Sequence, residues 1–186
     1  CAYCDTPEAR EAGKPLSFDE IAAAVASLGC SLVAVTGGEP LFQSGTVALL
    51  SRLVKDGNRV LLETNGSLPI DRVPDEVVIM MDIKCPGSGE GDPCYWKNLD
   101  LLRAHDEIKF VVRSRADFDW AIKVVESRRL ERFRLWISPA WGEVDPQEAA
   151  EWVLGSRKRL ALLLPWHKLL WGEKEKKWLP PGPSSS

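Results

Sequence analysis

Two cysteines open this chain, Cys1 and Cys4, with Tyr3 between them and Asp5 and Thr6 behind them. Thiolates three positions apart grip one zinc ion or one iron–sulfur cluster, and either needs more ligands than two. The others would come from Cys30, Cys85 and Cys94, from the two histidines, or from residues ahead of Cys1. An aromatic just before the last cysteine suits the cover of an oxygen-sensitive cluster. Four more polar stretches could do chemistry: Thr36-Gly37-Gly38-Glu39-Pro40, Thr64-Asn65-Gly66, Asp82-Ile83-Lys84-Cys85-Pro86 with the glycines after it, and Ser138-Pro139-Ala140-Trp141.

The elements around them set where they sit. Ser17 and Glu20 form a capping box that opens an alanine-rich helix over 18–28, stopped by Gly29. Apolar runs at 31–35, 59–63, 77–83, 108–112 and 133–137 read as strands, and 160–164 is a final apolar run. Helices are expected over 46–55, in a short piece near 98–104, from 115 to about 128, and from Pro146 onward. Strands alternating with helices predict an α/β domain with a parallel sheet. In such folds ligands bind at the carboxyl ends of strands, so all four polar stretches are expected on one rim.

Bulk properties bound the rest. A chain of 186 residues, 45% hydrophobic and 27% charged, suffices for one domain with a core. A net charge of −3 gives no support for a nucleic-acid or anionic-membrane surface. The longest apolar run, 160–166, is too short to span a bilayer. Five irregularly spaced cysteines argue against a disulfide framework and for a reducing compartment, hence cytoplasm. Residues 1–172 are expected to form the domain. The charged, then Pro/Ser-rich stretch 173–186 is expected to be a disordered tail.

Together these residues resemble the radical S-adenosylmethionine (SAM) superfamily. Cys1-Ala2-Tyr3-Cys4 is similar to the last two cysteines of its CxxxCxxC motif, and Thr36 to Pro40 carries its GGEP motif in the expected order. Cys4-Asp5-Thr6, Glu63-Thr64-Asn65-Gly66, Met81-Asp82-Ile83-Lys84-Cys85-Pro86, His167-Lys168 and Trp171 narrow the likeness to the 7-carboxy-7-deazaguanine synthases. The resemblance implies a partial β/α barrel, a [4Fe–4S] cluster, SAM and Mg²⁺. It implies ring contraction of 6-carboxy-5,6,7,8-tetrahydropterin with loss of ammonia.

Residue by residue, the resemblance makes Cys1 and Cys4 cluster ligands, Thr6 the Mg²⁺ ligand and Thr36 a substrate contact. Gly38 and Glu39 would bind SAM, the latter through its carboxylate. Asp82, Ile83 and Lys84 would lie along SAM, as would Ser138, Pro139, Ala140 and Trp141. A flavodoxin or ferredoxin would be the reductant, and a homodimer is implied, with the late tryptophans as its apolar face. The motif's first cysteine would lie ahead of Cys1, so further residues, including a first strand, are expected there. Two other readings share part of the pattern. A glycyl-radical activase uses the cysteines and GGEP without a metal at Thr6, and should show a broad open face to a partner protein. A zinc or iron–sulfur module with no catalytic role uses the cysteines alone.

Overall fold

A computed structural model describes residues 1–4, 13–92 and 94–171. Thr6 and residues 173–186 lie outside the described residues. Six strands form one parallel sheet in sequence order: β1 (Leu32–Val35), β2 (Arg59–Thr64), β3 (Val78–Asp82), β4 (Glu107–Val112), β5 (Arg134–Pro139) and β6 (Leu160–Leu162). Among the described residues β1 and β6 each pair on one side only, so the sheet is an unclosed barrel.

Strand alternation sorts the side chains to two faces. Val60 and Leu62, Ile79 and Met81, Ile108 and Phe110, and Leu135 and Ile137 point to the outer face and are buried. There they meet helices α2 (Thr46–Lys55), α3 (Arg115–Arg128) and α4 (Pro146–Ser156), which contribute Leu50, Leu53, Phe118, Ala121 and Val125. Full burial of one such side chain contributes about 1.5–3 kcal/mol, so this layer fixes the sheet to its helices. The opposite set, Glu63, Asp82, Lys109, Trp136 and Ser138, faces the concave side and is only part-buried.

Helix α1 (Phe18–Ser27) starts at the Ser17 capping box, where Glu20 accepts the Ser17 N–H at 2.7 Å. Sequence and structure differ in three places. The expected helical piece near 98–104 is a 3-10 turn over Trp96–Asp100, because its Asn98 side chain turns to brace a neighbouring loop. A short helix, α5 (Trp166–Trp171), follows Pro165 and has no counterpart in the expected elements. Trp152, expected among residues of a free apolar face, instead packs on Phe118 at 5.8 Å between ring centres.

No helix connects β2 to β3. Residues 65–77 cross over as a loop, and buried Asn98 replaces the helix's internal hydrogen bonds. Its Nδ2 donates to the carbonyls of Gly66 (3.1 Å) and Leu68 (2.9 Å), and its Oδ1 accepts from the Ile70 N–H at 3.2 Å. Gly66 has φ of 70°, and a Cβ there would lie 2.8 Å from Met81 Sδ, so backbone and packing both require glycine.

Candidate functional site

The carboxyl ends of the strands open onto a cavity of about 590 Å³. Its wall runs from Cys1, Tyr3 and Cys4 through Gly37 and Gly38 to Asp82 and Lys84, and closes with Ser138, Pro139, Ala140 and Trp141. These eleven residues meet here from four separate stretches of sequence.

The N-terminal segment reaches the rim by backbone pairing: the Ala2 N–H donates to the Ser88 carbonyl at 3.0 Å, and the Cys4 N–H to Cys1 at 3.3 Å. Both thiols are free and half-buried. No group of three or more Cys, His, Asp or Glu that could hold a metal occurs among the described residues. Cys1 and Cys4 both line the cavity with free thiols, a donor set suited to two ligand positions of a thiolate-held group. Cys85 and Cys94 are buried on the helix side of the sheet rather than in the cavity. Burial pushes the Cys94 thiol up to about 11, with Asp92 adding to it. Cys85 is pushed up further, by burial first and then by Asp117 and Asp82. Neither is poised as a thiolate.

A chain of opposite charges crosses the floor. Lys109 Nζ lies 3.1 Å from Glu63 and 3.6 Å from Asp82, and Lys84 Nζ donates to Asp82 Oδ2 at 2.9 Å. Asp82 Oδ1 is buried with no partner, as is the Tyr3 hydroxyl. Unmet buried acceptors are costly, so this oxygen is suited to a donor on a bound molecule. Glu63 opens the Glu63-Thr64-Asn65-Gly66 stretch, whereas Lys109 lies within an ordinary strand sequence and carries no motif of its own; only the inward register of β4 marks it.

Three residues assigned to the site by resemblance stand differently. The Glu39 carboxylate does not line the cavity. It accepts the Leu41 N–H at 3.0 Å, the Thr64 hydroxyl at 2.9 Å and the Asn65 N–H at 2.8 Å. Ile83 is 1% exposed with its side chain in the core, and its N–H donates to the Lys109 carbonyl at 2.9 Å, leaving only backbone for a ligand. Thr36 is exposed at the end of β1, outside the cavity wall. Thr6 lies outside the described residues. His167 is exposed on α5 and does not reach the wall.

Residues 1–86 match the radical SAM superfamily. Over nearly their whole length the residues also match curated proteins named 7-carboxy-7-deazaguanine synthase. The Koribacter versatilis protein is 41% identical, with 95% of this chain and 85% of that protein covered. The Chlorobaculum tepidum protein is 40% identical over 92% of this chain and 80% of its own length.

This chain belongs to the 7-carboxy-7-deazaguanine synthase family.

A third synthase, from Methanospirillum hungatei, is 38% identical over 91% of this chain and 71% of its own. The superfamily match ends at Pro86, so it spans the cysteines, the glycine turn and the Asp82–Lys84 segment. The later wall, from Ser138 to Trp141, lies beyond the residues of the superfamily match.

Proposed function

We propose that this chain is a radical SAM enzyme that contracts 6-carboxy-5,6,7,8-tetrahydropterin to 7-carboxy-7-deazaguanine with release of ammonia, within queuosine and 7-deazapurine biosynthesis. The observation that carries this reading is the synthase similarity across nearly the whole chain, with its motifs gathered on one cavity. When bound at Cys1 and Cys4, a cluster would supply the reducing electron, and SAM held beside it would supply the radical chemistry.

The chain's own part is binding, orientation and exclusion of water. Cys1 and Cys4 would each give a thiolate to the cluster, with Tyr3 covering it. The Gly37–Gly38 backbone would face the SAM amino group, and Asp82 Oδ1 is an acceptor in want of a donor. The Lys84 ammonium would hold the SAM carboxylate, and Ser138 to Trp141 would form the facing wall. Glu39 would act through the turns it joins rather than by touching SAM. Thr36 would meet substrate at the rim, and Ile83 would meet SAM through backbone alone. Thr6 would hold Mg²⁺ with the substrate carboxylate, since a hard cation prefers oxygen ligands. A flavodoxin or ferredoxin would deliver the electron. The free thiols support a reducing cytoplasm. Exposed Trp166, Leu169 and Leu170 support an apolar contact between two copies. No described helix is long and apolar enough to cross a membrane. The glycyl-radical activase reading is not favoured, because relatives matched over more than nine-tenths of the chain are named as synthases.

The test uses the full protein reconstituted anaerobically with iron and sulfide. SAM, dithionite, Mg²⁺ and carboxytetrahydropterin are added, and products are read by mass spectrometry. Deazaguanine and 5′-deoxyadenosine should both form, vanish in Cys4→Ala and weaken in Thr6→Ala. Deoxyadenosine alone would move the chain to another radical SAM substrate. Neither product from a protein holding a full cluster would overturn the reading.

A further inference from the structure

Helix α3 lies behind the sheet, yet its first turn is wired to both ends of the cavity. Asp117 is 3% exposed and uses both carboxylate oxygens. Oδ1 accepts the Gly87 N–H at 2.8 Å, and Oδ2 accepts the Arg113 N–H at 3.0 Å. The contact admits no side chain: a Cβ on Gly87 would lie 2.3 Å from Asp117 Oδ2. Arg113 completes the ring, its Nη1 donating to the Gly87 carbonyl at 2.8 Å and its Nε to the Glu143 carboxylate.

Each partner leads to a different wall. Gly87 lies in the turn Pro86–Ser88, and Ser88 accepts the N–H of Ala2, the residue after Cys1. Glu143 follows Trp141, and its own N–H donates to the Ala140 carbonyl at 3.1 Å. The Tyr3 ring also sits in this neighbourhood. Burial, then Asp82, Cys85 and Asp117, raise its phenol, and Arg113 opposes them.

We propose that Asp117, with Arg113 and Glu143, is a positioning element that sets the cysteine segment against the Ser138–Trp141 wall. This rests on the radical SAM reading of the cavity. Asp117 touches none of the cavity residues assigned to cluster or SAM. It acts through Gly87, and a charge-assisted bond in a low-dielectric setting holds that turn more firmly than a neutral one. Small displacements at a site of this kind cost large factors in rate and coupling, because the reacting atoms must meet within a narrow geometry.

The experiment compares wild type, Asp117→Asn and Glu143→Gln as full-length reconstituted protein. Three quantities are read: iron per chain, the SAM concentration that half-saturates the change in the reduced cluster's EPR signal, and deoxyadenosine formed per deazaguanine. D117N turns one acceptor into a donor facing an N–H, and should raise half-saturating SAM about tenfold and waste more deoxyadenosine per product. E143Q, on the half-exposed end of the network, should shift both in the same direction by about threefold with an unchanged circular dichroism melt. A role confined to stability would lower the active fraction and leave half-saturation and the product ratio untouched. That result in E143Q, or in a folded D117N, overturns the proposal. If D117N does not fold, E143Q decides alone. Failure of the functional reading looks different: wild type would answer SAM by EPR yet form no deazaguanine, and the titration would still report on Asp117.

Discussion

Both carboxylate oxygens of Glu39 lie 2.9 Å from the Thr64 hydroxyl, a contact between residues 25 apart that ties the turn after β1 to the turn after β2. Glu39 also takes the Asn65 N–H, so one acidic side chain sets the relative height of two glycine turns. Replacing it with alanine strands two N–H donors and a hydroxyl. Glu39→Ala should cost about 1–3 kcal/mol, the penalty of unmet buried groups. Urea unfolding of Glu39→Ala, Thr64→Val and the double variant checks this. A coupling energy indistinguishable from zero would mean that the brace contributes nothing.

Asn98 braces the first half of the β2–β3 crossover with three bonds from a fully buried side chain, while Arg103 holds the Val73 and Pro74 carbonyls further on. Asn98→Ala should destabilise by about 3 kcal/mol, in the range for a broken buried network. Asn98→Asp should fare no better, since its carboxylate would face two carbonyls. Thermal melts of both variants measure the loss, and an Asn98→Ala melt within a degree or two of wild type would refute it.

Lys109 stands between Glu63 and Asp82 on the cavity floor. Lys109→Met leaves those two carboxylates facing each other without their shared cation. SAM affinity should fall at least about tenfold, because like charges that repel distort a preorganised site. Equilibrium binding of SAM to the reconstituted protein gives the number. Lys109→Arg should recover part of it, and equal loss in both variants would point to size rather than charge.

The two buried thiols make stability fall in alkali. Cys94 titrates near 11 when folded and Cys85 higher still, while an unfolded thiol titrates near 8.5. Above that lower value the unfolded chain releases protons that the folded chain keeps. Unfolding is therefore favoured as pH rises through the window from about 8.5 to 11, by up to about 1.4 kcal/mol per unit for each thiol. Cys94→Ala should flatten that slope between pH 9 and 11, measured by denaturant titration. At pH 8, iodoacetamide on the cluster-free native protein should label Cys30, Cys1 and Cys4 and spare the other two.

Much of the fold is written locally. Ser17 with Glu20, Ser114 with Asp117 and Asp145 with Pro146 mark three helix starts within four residues each, and the structure uses all three as caps. Short apolar runs locate five of the six strands and the final run at 160–164 holds the sixth, and the chemistry-bearing turns follow directly from the ends of four of them. Those signals are legible because capping, turn formation and strand burial depend on neighbours in sequence.

What tertiary structure decided is which face each residue meets. In Glu107–Val112 the sequence offers a strand, but only its place between β3 and β5 turns Lys109 inward to Glu63 and Asp82 while Phe110 joins the core. Glu39 reads in sequence as one residue of the GGEP motif, and only the approach of β2 brings its carboxylate to Thr64 and Asn65. Asp117 reads as an ordinary first-turn acid until the Pro86–Ser88 turn is laid against it. Each of these roles joins residues some 20 to 50 positions apart. Sheet order and register bring such residues together, and no local pattern encodes contacts at that range.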